Sequence, residues 1–172
     1  WNCERLLDAC AALLAPGDAA TLRQVYAPAY QRAVMQRWCA KLGLMAVHDG
    51  DAALVNRLLT LMQHGRCDFT LTFRALGDEP LAALRQRFAD RAGLDIWWAD
   101  WQARLARQGL PEAARHEAQR RVNPKVVLRN HLAQGAIDAA THGDVSELLG
   151  LLKVLQRPFD EHAAGARYAA PA

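Results

Sequence analysis

The chain has 172 residues, 52% of them hydrophobic and 23% charged, and carries a net charge of +3. This profile is that of a globular chain long enough for one domain with a real core, and it excludes a disordered one. The charge is too small to argue for a nucleic-acid partner, and no run approaches the ~20 apolar residues needed to cross a bilayer.

Nearly every segment reads as helix. Leu6, Leu7, Cys10, Leu13 and Leu14 recur at helical spacing from the first residues onward. The chain begins inside that pattern, as "WNCERLL", without a Met or a charged-then-apolar leader, and so reads as a fragment with no signal peptide. Pro16 and Gly17 stop the first helix, and Asp18 is placed to cap the next. That second helix extends from about Ala19 towards Leu42, with Pro28 as a kink or break. Gly43 and His48–Gly50 form a connection. Asp51 then caps a third helix bearing Leu54, Val55, Leu58, Leu59, Leu61 and Met62, and Gly65 ends it.

"CDFTLTFRAL" (Cys67–Leu76) is ambiguous: Phe69, Leu71 and Phe73 alternate as in a strand, while Phe69, Phe73 and Leu76 fit a helix. Helical neighbours and the lack of a partner strand favour helix. A further helix is expected between Pro80 and Gly93. In the next, Trp97 and Trp101 share one face with Leu94 and Leu105, Trp98 turns away to partial exposure, and Pro111 opens a short helix. Asn123 and Pro124 have the character of an N-cap and first helical position, followed by an apolar stripe of Leu128, Leu132, Ala136 and Ala139 or Ala140. After the stop at Gly143, Asp144 to Glu147 has capping-box spacing, and Leu148, Leu151, Leu152 and Leu155 form a buried face that ends before Pro158. The expected fold is all-α, with eight or nine helices over residues 1–157 and an extended tail over 158–172.

Chemistry-bearing motifs are sparse. No Walker loop, G-x-G-x-x-G, G-x-S-x-G or H-E-x-x-H occurs. His48, His64, His116, His131, His142 and His162 are scattered, and His64 with Cys67 supplies only half of a tetrahedral zinc set. "HDGDAALV" lacks the alternating oxygen ligands of a calcium loop. Cys3, Cys10, Cys39 and Cys67 form no C-x-x-C pair and read as free, mostly buried thiols of a reducing compartment.

Between Pro111 and Asn130, Arg115, Arg120, Arg121, Lys125 and Arg129 face only Glu112 and Glu117. In a helix opened by Asn123, Lys125 and Arg129 would lie four apart on one face with Arg121 just before the cap. Cations there oppose the helix dipole, so an acidic surface elsewhere is expected to hold them. Such charge runs are usually a solvated face; the functional alternative makes Arg121, Lys125 and Arg129 the candidate interdomain contact, and no residue stands out as catalytic, cofactor-binding or metal-ligating.

The opening "WNCERLLDACAALL" resembles the "WNL-x-R-L" segment of the SelO/YdiU family of protein adenylyltransferases. "KLGL" (Lys41–Leu44), "DAALVNRLLTLM" (Asp51–Met62) and "DFTLTFRAL" (Asp68–Leu76) continue the resemblance in order. "NPKVVLRNHLAQGAI" (Asn123–Ile137) and "GDVSELLGLLKVLQRPFDE" (Gly143–Glu161) are its most specific parts. The resemblance implies a kinase-like protein that transfers AMP from ATP to hydroxyl side chains of proteins, using Mg or Mn, in the bacterial cytoplasm. Its catalytic residues lie upstream, so residues 1–157 would be a helical extension of the C-lobe without an active site or bound cofactor. The partners implied are the N-terminal kinase-like lobe and the protein substrates, with no membrane and no nucleic acid. The resemblance also implies a short cysteine-containing closing tail, which is not expected among these residues. The competing reading is a freestanding helical interaction module whose basic face binds an acidic protein or nucleic acid.

Overall fold

A computed structural model describes residues 1–162 and 165–171, and every regular element among them is helical. The chain divides into two compact units, Trp1–Arg37 and Trp38–Ala172.

The first unit holds α1 (Asn2–Ala9), a single 3-10 turn (Ala11–Leu13) and α2 (Asp18–Lys41) as far as Arg37. Gly17 makes the turn between them at φ +96°, a left-handed conformation natural to glycine. Asp18 does not cap α2 in the expected sense. It is the first helical residue, and its carboxylate accepts from the Ala15 N–H at 2.9 Å, bracing the turn instead. The helix also runs through Pro28 without interruption, although proline inside a helix removes a hydrogen bond and costs about 3 kcal/mol. No residue from Trp1 to Arg37 is buried. The unit is tied by Arg23 gripping both oxygens of Glu4 at 2.8 and 3.1 Å and by the stacked rings of Tyr26 and Tyr30, 5.7 Å apart. An exposed ion pair of this kind contributes about 0–1 kcal/mol.

The second unit begins with the last turn of α2 and continues through α3 (Asp51–Gly65), α4 (Phe69–Asp78), α5 (Leu81–Leu84), α6 (Arg91–Ala106), α7 (Glu112–Val122), α8 (Asn130–Thr141), α9 (Ser146–Leu155) and α10 (Gly165–Ala169). Its main core lies where α3 and α6 meet. Trp97 and Trp101 stack at 5.4 Å, and their indole N–H groups donate to the carbonyls of Leu54 and Leu42 at 2.8 and 3.0 Å. Both indoles thus bury their area with their one polar atom satisfied. Trp98 is half-buried as expected, but it meets Trp101 edge-on at 4.9 Å rather than turning away from it. Cys67–Leu76 resolves as helix: Asp68 caps α4 by accepting from the Leu71 N–H at 2.9 Å, and Phe73 and Leu76 face the core.

A smaller core gathers Val126, Ala136, Leu151, Val154, Tyr168 and Ala169. It corrects the expectation of an extended tail over 158–172. The tail turns back as α10, with Tyr168 only 2% exposed, because an aromatic ring finds more apolar area in this cluster than in water. Of that stretch, residues 163, 164 and 172 lie outside the described residues. The buried face of α9 is also shifted: Leu151 and Val154 are buried, while Leu148 and Leu152 stay half exposed. The expected cap also moves: Val145 is the N-cap of α9 and has no side-chain bond, Asp144 just before it accepts from the Ser146 N–H at 2.9 Å, and Glu147 pairs with Arg167 rather than closing a box.

Two further expectations give way. The helix after Pro80 is a single turn, and Gly93 belongs to α6, whose N-terminus Asp90 caps through the Gly93 N–H at 2.8 Å. Glycine is needed there because a Cβ would run into the capping Asp90 carboxylate and approach Leu61 Cδ2 to 2.9 Å. The second is larger. Asn123 and Pro124 open no helix. Asn123 ends α7, residues 124–129 are irregular, and α8 starts only at Asn130. Of the four cysteines, Cys39 is buried and the other three are partly buried, all as free thiols.

Candidate functional site

The polar residues that this unit buries form three linked clusters. In the first, Asp51, the expected cap of α3, is instead a buried counterion. Its Oδ1 and Oδ2 accept from Arg104 Nε and Nη2 at 2.8 and 3.1 Å, and Oδ2 also accepts from the His48 N–H at 2.8 Å. Arg104 Nη2 reaches the Ala46 carbonyl at 2.9 Å as well. The 44–50 loop, which has no helix to satisfy its backbone, is thus pinned by one ion pair. Burial alone would raise the Asp51 carboxyl. The Arg104 and His48 hydrogen bonds and the guanidinium charge outweigh it and hold the group below its ordinary range. Cys39 donates its thiol proton to Asp51 across 3.6 Å; burial and that neighbouring charge push its pKa up to about 11, so it is a thiol and not a nucleophilic thiolate.

In the second cluster, the C-terminus of α2 is closed from α7. The Lys41 carbonyl accepts from Asn123 Nδ2 at 2.9 Å and Gln119 Nε2 at 3.3 Å, satisfying a carbonyl the helix leaves open. The Lys41 ammonium donates to Asn123 Oδ1 at 3.2 Å and the Val122 carbonyl at 3.3 Å, and sits 5.5 and 5.6 Å from the Phe73 and Phe69 ring centres. Burial lowers its pKa. This is the physical reason Asn123 is not an N-cap: both ends of its amide are occupied by a residue 82 positions away.

Arg74 centres the third. Only 5% exposed, it donates from Nη1 to the carbonyls of Arg120, Asn123 and Phe159 at 3.0–3.3 Å and from Nη2 to Glu161 at 2.8 Å. Its Nε lies 2.9 Å from Asp78, an ionic contact outside hydrogen-bond geometry. One guanidinium thereby joins α4, the end of α7 and the segment after α9. Hydrogen bonding from Arg74, then from Lys125, holds the Glu161 carboxyl below its ordinary value despite some burial.

The three cations singled out from the sequence are separated by this arrangement. Arg121 is mostly exposed and pairs with Glu117 one turn back on α7. Lys125 pairs with Glu161 at 3.2 Å. Arg129 pairs with Asp68 at 2.6 Å, its Nε buried without a partner. They share no helical face, since residues 124–129 are not helical, and the carboxylates each meets belong to this chain. Asp68 serves twice, as cap of α4 and as partner of Arg129, and the Arg129 hydrogen bond is the chief cause of its lowered pKa. Sequence reading missed Arg74, Arg104 and Lys41, although each is a cation set within an apolar helical run, which is the available signal of a buried one.

The three clusters share one feature: their cations meet carbonyls and carboxylates of the chain itself. Among the described residues, no three His, Cys, Asp or Glu converge as a metal set would require. The cations are spent on carbonyls and carboxylates that fix loops. No described helix is long and apolar enough to cross a membrane. The unit is a helical scaffold braced by buried arginines.

Comparison with known proteins identifies which scaffold. Residues 1–156 match the family described as protein adenylyltransferase SelO. The chain is similar to the protein nucleotidyltransferase YdiU of Methylococcus capsulatus, 49% identical over 183 residues, covering 99% of this chain and 36% of that protein. The YdiU protein of Ralstonia nicotianae is 47% identical over 157 residues, 86% of this chain and 30% of that protein. That of Stutzerimonas stutzeri is 40% identical over 173 residues, 98% and 36%. The chain belongs to the SelO family, a family of protein nucleotidyltransferases. It spans about a third of the length of these relatives.

Proposed function

We infer that this chain is the helical C-terminal region of a protein adenylyltransferase, supporting a catalytic lobe that precedes it and holding no active site itself. The observation that carries the reading is the pairing of a family match over residues 1–156 with coverage of only about a third of the relatives. The buried arginines support it. A nucleotidyl-transfer site needs cations free to meet phosphates and carboxylates free to bind metal, and Arg74, Arg104 and Lys41 are committed to loop carbonyls and in-chain partners.

In this reading the upstream lobe binds ATP with Mg or Mn. A substrate hydroxyl attacks the α-phosphorus, the α–β phosphoanhydride breaks, pyrophosphate leaves, and the hydroxyl proton passes to a base of that lobe. The present residues take no part in the step; they hold the lobe and shape the surface that protein substrates approach. Of the three cations first expected at the interdomain contact, Arg121 keeps the most open side chain and is the one best placed for it. The setting is the bacterial cytoplasm.

The test is AMP transfer from labelled ATP to a protein substrate. The full-length polypeptide is expected to label hydroxyl side chains, and the 172-residue chain to label none. Labelling by the short chain, or none by the long one in the presence of Mg or Mn, overturns the reading.

A further inference from the structure

The unit Trp1–Arg37 cannot account for its own structure. It contains 37 residues, none of them buried, whereas chains this short hold a fold only with a metal, a disulfide or a partner. Its cysteines, Cys3 and Cys10, are free. Its longer helix carries a proline in its interior, at Pro28. Along that helix Leu22, Val25, Tyr26 and Tyr30 recur at helical spacing and are 44–61% exposed, one apolar stripe that α1, tied to the helix through Glu4 and Arg23, leaves about half open.

We propose that this stripe is the docking surface for the upstream part of the same polypeptide, an interface that builds on the function inferred above. Two observations choose that occupant over a second copy or an unrelated protein. The family match begins at residue 1, so it includes the arm as well as the second unit; the arm's cover should then be something every member carries. And about two-thirds of the relatives' length lies outside this chain, which supplies a covering surface without any foreign partner. The stripe is apolar and aromatic with no acidic residue in it, as suits a permanent interface inside one protein rather than a transient charged one.

The experiment is amide hydrogen exchange on the full-length polypeptide. Amides of Thr21–Arg37 are expected to exchange at least about 100-fold more slowly than an unfolded peptide, in step with α3. The triple change Leu22→Asp, Val25→Asp and Tyr30→Asp should abolish that protection while leaving α3 protected. Gln24→Asp with Gln31→Asp, on the opposite face of α2, should leave both unchanged. Unprotected arm amides in the full-length protein overturn the proposal, as does protection that falls on dilution, which would assign the stripe to a second copy. A full-length protein that protects the arm but transfers no AMP would sink the inferred function and leave the docking surface standing. An open reading frame that starts at Trp1 would sink both.

Discussion

The two units are built from the same kinds of residue and hold together by different means. In Trp38–Ala172 the apolar stripes of α3, α4 and α6 pack inward, and charged residues are buried only where each has a partner, as in Asp51 with Arg104. In Trp1–Arg37 the stripes are as regular but stay about half exposed, and the contacts are a surface ion pair and a stacked tyrosine pair. Helical periodicity is present in both. What differs is whether a second surface exists to receive it, and that is what turns amphipathic pattern into stability.

The comparison breaks most easily at the buried pairs. Arg104→Ala leaves the Asp51 carboxylate buried and the Ala46 carbonyl unmet, and should lower the stability of the second unit by about 3–5 kcal/mol in urea unfolding. A loss under 1 kcal/mol would mean the 44–50 loop is held by something else. Asn123→Ala removes one partner each from the Lys41 carbonyl and ammonium and should cost about 1–3 kcal/mol, with the C-terminal turn of α2 losing amide protection first. Acidification should have a smaller effect of defined sign. Asp51 and Asp68 have folded pKa values below the ordinary 3.8, so their contribution is complete above that value and is lost as pH falls through the lower, folded one. Urea midpoints should decline in that window, and Asp51→Asn should flatten the decline. The smallest effect belongs to the arm: Leu22→Asp in the 172-residue chain should leave the unfolding of the second unit within about 0.5 kcal/mol of wild type.

Much of the second unit was legible in the sequence, because a 3.6-residue period reports burial directly: Trp97, Trp101 and the apolar face of α3 fall where the spacing puts them. The errors share one cause. Asn before Pro, Asp at the start of an apolar run and Gly after one are local signals of helix ends, but each of these residues answers to a distant group. Asn123 is fixed by Lys41 and Asp51 by Arg104, while Gly93 is held between Leu61 and the carboxylate of its own cap, Asp90. Tyr168 was lost in an Ala-rich stretch whose burial is created only by α8 and α9. The expected basic face dissolved for the same reason: with no helix over residues 124–129, Lys125 and Arg129 go to different carboxylates on different segments. The family, by contrast, was legible because it rests on ordered short matches, which need no knowledge of contacts.

The division between the units is tested most directly by residue-resolved hydrogen exchange on the 172-residue chain. The account predicts that amides of α3 and α6 exchange only through global unfolding, while those of α1 and of α2 up to Arg37 exchange within about tenfold of an unfolded peptide. Arm amides as slow as those of α3 would contradict it, for they would show that Trp1–Arg37 needs no surface beyond this chain to hold its helices.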